Sequence, residues 1–143
     1  MKQGMTLIEL LLALVVVGLL TGAAAPAVAG LRDRHVVQAA AAEIAGAHNR
    51  ARIRAVLESR VSELEVRADS LVISLTFASG AAVVWSVPGP LASGTALLSP
   101  SRKISFAPTG VTMGFANATF IVTRGSARRQ VVVSRLGRVR VIP

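Results

Sequence analysis

The sequence predicts an α+β fold in which one long N-terminal helix continues into a strand-rich head. Two patterns predict it: an apolar run of helical length at the N-terminus, and a hydrophobic period that shifts from 3.6 to 2 after Leu57. The 143 residues leave little more than 110 beyond Gly30, which is enough for one compact core but too few for two. The chain has no cysteine, so the sequence offers no disulfide, cysteine-ligated zinc or thiol nucleophile.

The N-terminal apolar run covers residues 5–29, and its single ionisable member is Glu9. At about 1.5 Å rise per residue, such a helix crosses the ~30 Å hydrocarbon core of a bilayer. Two plain interpretations are an ordinary single-span anchor and a cleaved secretory signal, with Lys2 as its basic end and 27–29 as its cleavage site. Neither accounts for the acid, because a carboxylate inside the membrane costs on the order of 2.5–3.5 kcal/mol and needs a partner.

The residues around Glu9 carry a family resemblance. The segment Gly4-Met5-Thr6-Leu7-Ile8-Glu9 resembles the cleavage motif of type IV prepilins and type II secretion pseudopilins. The resemblance implies cleavage by a prepilin peptidase between Gly4 and Met5, followed by N-methylation of Met5. It also implies that Glu9 acts in filament assembly, where it meets the N-terminal amine of a neighbouring subunit. Such pairing relieves the penalty on a charge in lipid.

Beyond the apolar run, the helical period continues to about Leu57. One stripe recurs at steps of three and four residues, which predicts a helix face that packs on a sheet. The stripe consists of Val37, Ala41, Ile44, His48, Ala51 and Ala55. Neither His48 nor His35 has acidic or cysteine residues at ligand spacing, so we expect no metal site, no catalytic residue and no cofactor.

After Leu57, short alternating segments predict antiparallel strands. They cover 61–66, 71–77, 81–87, 103–106, 111–115, 118–123, 130–134 and 138–142. In the third strand we expect Val83, Trp85 and Val87 on one face, with Trp85 in the core. The intervening segment 88–101 is rich in proline, glycine and serine, and we expect it to cross from one sheet to another.

Several of these segments widen the resemblance. Ala51-Arg52, Ile104-Ser105-Phe106-Ala107-Pro108-Thr109-Gly110, Val131-Val132-Val133-Ser134 and Gly137-Arg138-Val139-Arg140 are similar to the GspH/FimT family of minor pseudopilins. That family has a head of two sheets packed against the end of the long helix. The resemblance implies a leader (1–4), a transmembrane and assembly helix (5–30) and a periplasmic pilin head (31–143). It implies a single-pass protein of the bacterial inner membrane that joins other pilins through its N-terminal helix.

The charged residues are unevenly distributed along the chain, and its second half is strongly basic. The last acidic residue is Asp69, and residues 70–143 hold eight basic residues and no acidic one, a formal charge of +8. A surface of single sign attracts polyanions, and contacts to phosphates depend steeply on salt. Arginine dominates lysine in this region, which suits forked contacts to phosphate oxygens.

Within the basic region, Gly137-Arg138-Val139-Arg140 matches the GRxR motif with which FimT-like minor pilins hold DNA during natural transformation. In a strand, Arg138 and Arg140 project from one face about 6.6 Å apart, close to the spacing of successive phosphates. Gly137 lets the backbone turn tightly before them. The neighbouring basic residues that extend the expected patch are Arg128, Arg129 and Arg135. Because aromatic residues are few, we expect DNA contacts without sequence preference.

Two functions therefore stay open for a filament subunit. The first is a minor pilin that binds DNA non-specifically for uptake. The second is a GspH-like structural tip component of a type II secretion pseudopilus, whose arginines dock against acidic neighbours or lipid headgroups. An enzyme is the least expected class, since the sequence presents no paired acids, nucleophile with a base, or phosphate-cradling glycine loop.

Overall fold

A computed structural model describes residues 6–114, 117–134 and 136–143, and for 23–26 it describes the backbone alone. The expected cleavage residues Gly4 and Met5 and the expected DNA contact Arg135 lie outside the described residues. The chain divides into two units, Met1–Arg32 and Asp33–Pro143.

One helix, α1 (Leu7–Leu57), runs for 51 residues. Thr6 caps its start, because the backbone N–H of Glu9 donates to the Thr6 hydroxyl oxygen at 3.4 Å. The N-terminal part of α1 is long and apolar enough to cross a membrane by its length and composition. Glu9 lies in the first turn of the helix with its side chain exposed.

In the second unit, the predicted stripe of α1 is confirmed as its buried face. All six stripe residues have at most 1% of their surface exposed. Two further alanines, Ala40 and Ala47, are also buried and widen this face. Alanines dominate the contact, so the helix backbone can approach the sheets closely.

Nine strands follow α1 within the described residues. They are β1 (Ser62–Val66), β2 (Ser70–Phe77), β3 (Gly80–Pro88), β4 (Ala96–Leu97), β5 (Arg102–Phe106), β6 (Thr112–Met113), β7 (Ala118–Arg124), β8 (Ala127–Val133) and β9 (Val139–Ile142). All pairings are antiparallel. The first sheet has the order β3-β2-β1-β5-β6 and the second the order β4-β7-β8-β9. The structure therefore confirms the α+β class, with a long helix followed by two sheets.

One core joins the stripe of α1 to the inner faces of both sheets. The first sheet contributes alternate residues such as Leu64, Ile73 and Phe106, and the second sheet contributes Phe120 and Val131. Every residue of this core belongs to the second unit, so the head holds its own apolar interior.

The segment 88–101 crosses between the sheets, as expected. It leaves β3 of the first sheet, forms a 3-10 helix (Pro90–Ser93), adds β4 to the second sheet and returns to β5. The sequence did not predict β4, which has only two residues and pairs with Thr123 and Val122 of β7. A strand of two residues is too short to show an alternating hydrophobic pattern in the sequence.

The expected face of β3 is wrong at one residue. The register of β3 against β2 shifts, so that Trp85 lies opposite Ile73 but Val83 lies opposite Ser74. Val83 is 64% exposed, whereas Trp85 packs against the core, as expected, together with Val84. An extra residue in one strand reverses the alternation beyond it, which explains why Val83 faces outward.

Two strands differ from prediction by more than one residue at a boundary. β8 begins at Ala127, three residues before the expected start, so Arg128 and Arg129 lie in a strand. β6 contains only Thr112–Met113, and Phe115 of the expected strand 111–115 lies outside the described residues.

Candidate nucleic-acid interface

The GRxR motif begins in the tight turn that joins β8 to β9. The backbone N–H of Gly137 donates to the carbonyl of Ser134 at 2.9 Å, and the Ser134 N–H donates to the carbonyl of Arg138 at 2.9 Å. The Arg138 N–H also donates to the Ser134 hydroxyl oxygen at 3.2 Å. Gly137 has a φ of +71°, the left-handed conformation that closes this kind of hairpin.

A side chain at Gly137 would also meet a neighbour. A Cβ atom there would lie 3.0 Å from Cγ2 of Thr112, which belongs to β6 of the first sheet. The β8–β9 turn therefore approaches the edge of the other sheet closely, and glycine satisfies both the backbone angle and the space.

The two motif arginines project outward from the second sheet. In β9, Val139 and Val141 lie opposite Val133 and Val131 and pack against the core. Arg140 lies opposite Val132, and Arg138 precedes the strand by one residue. Because the two arginines alternate with Val139 and Val141, both lie on the face of the sheet that points away from the core. Both side chains are exposed.

Arg138 and Arg140 line an open cleft of ≈ 780 Å³ together with two residues of α1, Asn49 and Arg52. The remaining lining residues come from the turn and the start of β9: Ser134, Leu136, Gly137 and Val139. The cleft thus draws three arginines from two elements. No carboxylate and no aromatic side chain is among these described lining residues.

The three cleft arginines lack a carboxylate partner, whereas four other cations of the head have one within the described residues. Salt bridges among the described residues join Arg54 to Glu58, Arg67 to Glu65, Lys103 to Glu63 and Arg124 to Asp33. None of these pairs involves Arg52, Arg138 or Arg140. Their positive charge is therefore available to an external anion.

The structure does not bring Arg128 and Arg129 together with the motif arginines. Ser134, the partner of Arg138, follows Arg128 by six residues, about 20 Å along an extended strand. Arg129 turns toward α1, where its Nε donates to Oε1 of Gln38 at 2.8 Å. Arg128 and Arg129 line a separate cavity of ≈ 400 Å³ with Arg34 and Pro143.

Sequence reasoning missed Arg52. The helical period places Arg52 off the buried stripe, and the structure leaves its side chain exposed. A useful signal was present, because Arg52 directly follows the buried stripe residue Ala51 near the end of the helix. A residue at that position borders the sheet-facing side, where the strand turns meet α1.

His48 is buried beneath this region and is not part of the cleft. Its ring packs edge-to-face on Phe106 with centroids 5.0 Å apart, and neither ring nitrogen has a hydrogen-bond partner among the described residues. Burial lowers the pKa of His48, and the charge of Arg52 acts in the same direction, while the neighbouring Asn49 acts against them. The ring is therefore neutral at neutral pH.

Comparison with known proteins agrees with this architecture. Residues 1–25 match the prokaryotic N-terminal methylation motif. Residues 40–137, more than half of the chain, match the family model described as type II transport protein GspH. The chain belongs to the GspH family.

Individual relatives of this GspH-family chain are pilin-like proteins. The pilin-like protein PilA1 of Thermus thermophilus is 30% identical over an alignment 154 positions long, which covers 97% of each chain. A crystal structure of the type IV minor pilin FimU from Pseudomonas aeruginosa superposes with a TM-score of 0.61 at 23% identity, covering 77% of this chain and 90% of FimU. A second FimU crystal form gives a TM-score of 0.57 at 22% identity, covering 74% and 92%.

The family and the fold are those of structural pilins rather than enzymes. The chain is therefore a minor pilin-like or pseudopilin-like subunit of the GspH/FimT type. Membership implies assembly with other pilins, and the methylation motif implies processing by a prepilin peptidase. The apolar N-terminal helix fits a subunit that is anchored in a membrane before assembly.

Proposed function

We propose that this GspH-family subunit is a minor pilin whose head binds DNA non-specifically for uptake. The observation that carries the proposal is the exposed, carboxylate-free cleft lined by Arg138 and Arg140. Guanidinium groups donate forked hydrogen bonds that match phosphate oxygens, and a cleft without acids does not repel a polyanion.

The proposed contacts go to the phosphate backbone. No aromatic side chain lines the cleft, so it offers no ring on which a base can stack. Contacts to phosphate position a nucleic acid but carry no sequence information. Binding of this kind tolerates any DNA sequence, as uptake of foreign DNA requires.

The proposal includes the maturation of the chain. A prepilin peptidase cuts after Gly4 and Met5 is methylated, which removes the leader 1–4. Residues 5–30 then hold the subunit in the bacterial inner membrane, with the head 31–143 in the periplasm. Glu9 meets the N-terminal amine of a neighbouring subunit when the filament grows, because a charge in lipid gains most from an opposite charge.

Fluorescence anisotropy with a short labelled duplex and the full chain in a neutral detergent tests the DNA proposal. We expect the logarithm of affinity to fall linearly with the logarithm of salt concentration, and Arg138→Ala and Arg140→Ala each to flatten that slope by about one unit. Arg67→Ala is the matched control, since it removes one positive charge from a residue that pairs with Glu65 in the first sheet. A DNA affinity that does not change with salt concentration would contradict the proposal. Equal changes of the salt slope in all three variants would contradict it too.

A structural role in a type II secretion pseudopilus is the second candidate. The match to the type II transport family model favours it. An exposed apolar group at the end of α1, formed by Ile53, Val56 and Leu57, offers a surface for a protein neighbour. Failure of the full chain to bind DNA at low salt makes this role the leading one, with the arginines as docking contacts.

A further inference from the structure

We infer that Arg52 of α1 is a third phosphate contact, in the cleft that Arg138 and Arg140 also line. The inference rests on the proposed function of that cleft in binding DNA. It extends the site from one strand to two elements, so that a phosphodiester backbone is held from the helix as well as from the hairpin.

The position of Arg52 is set by a second glycine turn. The Gly110 N–H donates to the carbonyl of Ala107 at 2.8 Å, and the Ala107 N–H donates to the carbonyl of Val111 at 2.8 Å. Gly110 has a φ of +76°, so the β5–β6 turn has the same hydrogen-bond pattern as the turn at Gly137. Two turns of one type therefore border the end of α1.

Gly110 lies beside the side chains of Arg52 and Val56. A Cβ atom at Gly110 would lie 3.5 Å from Nε and 3.7 Å from Cγ of Arg52, and 2.9 Å from Cγ2 of Val56. The turn therefore lies alongside the arginine side chain and limits the space open to it. A side chain held along its stem loses less conformational entropy when its guanidinium binds a ligand.

The neighbouring arginines of α1 show what distinguishes Arg52. The guanidinium of Arg50 stacks over the Trp85 ring at 4.5 Å from its centroid. Arg54 forms a salt bridge of 3.4 Å with Glu58. Within the described residues, Arg52 has neither a carboxylate partner nor an aromatic ring.

Charge and shape then define the ligand. Three unpaired guanidinium groups and the Asn49 amide surround one open cleft, and no lining residue is acidic. Successive phosphates of an extended strand lie about 6–7 Å apart, so one DNA backbone can meet several of these groups at once. Each arginine neutralises its own phosphate, and each contact should therefore add separately to the salt dependence.

Arg52→Gln in the full chain tests the inference in the same anisotropy assay. We expect Kd to rise about five- to tenfold and the salt slope to fall by about one unit, as for Arg138→Ala. In the double variant Arg52→Gln/Arg138→Ala, the salt slope should fall by about two units. Arg52→Lys should keep most of the salt dependence of affinity, because lysine keeps the positive charge but not the paired N–H donors of a guanidinium group.

Two substitutions of equal charge serve as controls. Arg54→Gln removes a cation from the same helix that already has a partner, and Arg128→Gln removes an exposed cation from the far end of β8. Both should leave Kd within about twofold. A melting temperature measured for every variant excludes loss of folding as the cause.

The outcomes separate the inference from the proposed function. If Arg52→Gln behaves like Arg54→Gln while Arg138→Ala still weakens binding, the inference is wrong and the proposed function stands. If the unsubstituted chain does not bind DNA, both are wrong. A loss of slope that Arg52→Lys restores supports a charge contact at residue 52.

Discussion

Nε of Arg124 donates a hydrogen bond of 2.8 Å to Oδ1 of Asp33, which lies 91 residues earlier in the chain. Nη1 of the same guanidinium donates to the carbonyl oxygen of Ser93 at 2.6 Å. One arginine side chain therefore ties α1 to β7 and to the 3-10 helix that crosses between the sheets. Both ionic side chains are mostly buried, with 29% and 26% of their surface exposed.

Arg124→Ala should destabilise the head by about 1–3 kcal/mol, because it leaves the carboxylate of Asp33 partly buried without its partner. The measurement is the free energy of unfolding from urea titration. Lys103→Ala is the control, since it breaks an equally short but exposed pair with Glu63, worth about 0–1 kcal/mol. Equal losses in the two variants would argue against any special role for the buried pair.

The buried ring of His48 predicts that acid destabilises the head. Because burial lowers the pKa of His48, the unfolded chain takes up a proton that the folded chain resists. The stability of the neutral ring is present above the unfolded pKa of about 6.5 and is lost as the pH falls below it. Urea unfolding at about pH 7.5 and pH 5.5 measures this loss.

His48→Phe removes the titrating group and should flatten the stability profile over this pH range. His35→Gln is the matched control, because His35 is exposed on α1 and should leave the profile unchanged. A profile that stays steep in His48→Phe would show that another group carries the acid sensitivity.

The sequence predicted those parts of the fold in which a regular hydrophobic period determines which residues are buried. The α1 stripe follows the 3.6-residue period, and all of it is buried. The bulge that turns Val83 outward could not be predicted in this way, because the register of β3 depends on its partner β2 and not on the composition of β3.

For the site, local spacing predicted that Arg138 and Arg140 share one face. Arg128 is close to Arg138 in sequence but does not line the same cleft. The antiparallel strand β8 carries it to the opposite end of the sheet. The position of Arg52 next to Ala51 indicates only that it borders the sheet-facing side of α1. Its place in the cleft depends on the packing of α1 against the two glycine turns.

Gly137→Ala should weaken DNA binding without changing the charge of the cleft. An alanine there has an unfavourable left-handed conformation, costing about 1–2 kcal/mol, and its Cβ would lie 3.0 Å from Thr112 Cγ2. The strained turn relieves itself by shifting, together with Thr112, and a shift of the turn would displace Arg138. We expect a higher Kd, measured by anisotropy, and a salt slope that falls by no more than the one unit expected for Arg138→Ala.

Gly46→Ala is the control for the glycine variant. Gly46 lies on α1 with no atom within 4 Å of the position of an added Cβ. Alanine should stabilise the helix at this position by about 0.5–1 kcal/mol and leave DNA affinity unchanged. Unchanged affinity in Gly137→Ala as well would indicate that the cleft tolerates a displaced turn.

Mass spectrometry of the chain expressed with a prepilin peptidase should find an N-methylated Met5 at the N-terminus. The reason is the match of residues 1–25 to the methylation motif, with Gly4 before the cut. Gly4→Ala tests whether the glycine directs cleavage, and it should leave the leader in place. A mature chain that starts at Gly30 would instead identify an ordinary secretory signal.

Glu9→Ala should insert into the membrane normally but fail to enter filaments. Removing the carboxylate makes the apolar run cheaper to insert, by about 2.5–3.5 kcal/mol on insertion scales. It also removes the group that would attract the N-terminal amine of the next subunit. Membrane fractionation measures insertion, and the subunit content of sheared filaments measures assembly.

Glu9→Gln separates charge from shape in this prediction. Glutamine keeps the size of the side chain and its hydrogen-bonding capacity but cannot pair ionically with an amine. If the ion pair drives assembly, Glu9→Gln fails like Glu9→Ala, while Glu9→Asp retains part of the filament content. Normal assembly of Glu9→Gln would mean that the residue at this position acts through packing or hydrogen bonding, and the amine of the neighbour would need another partner.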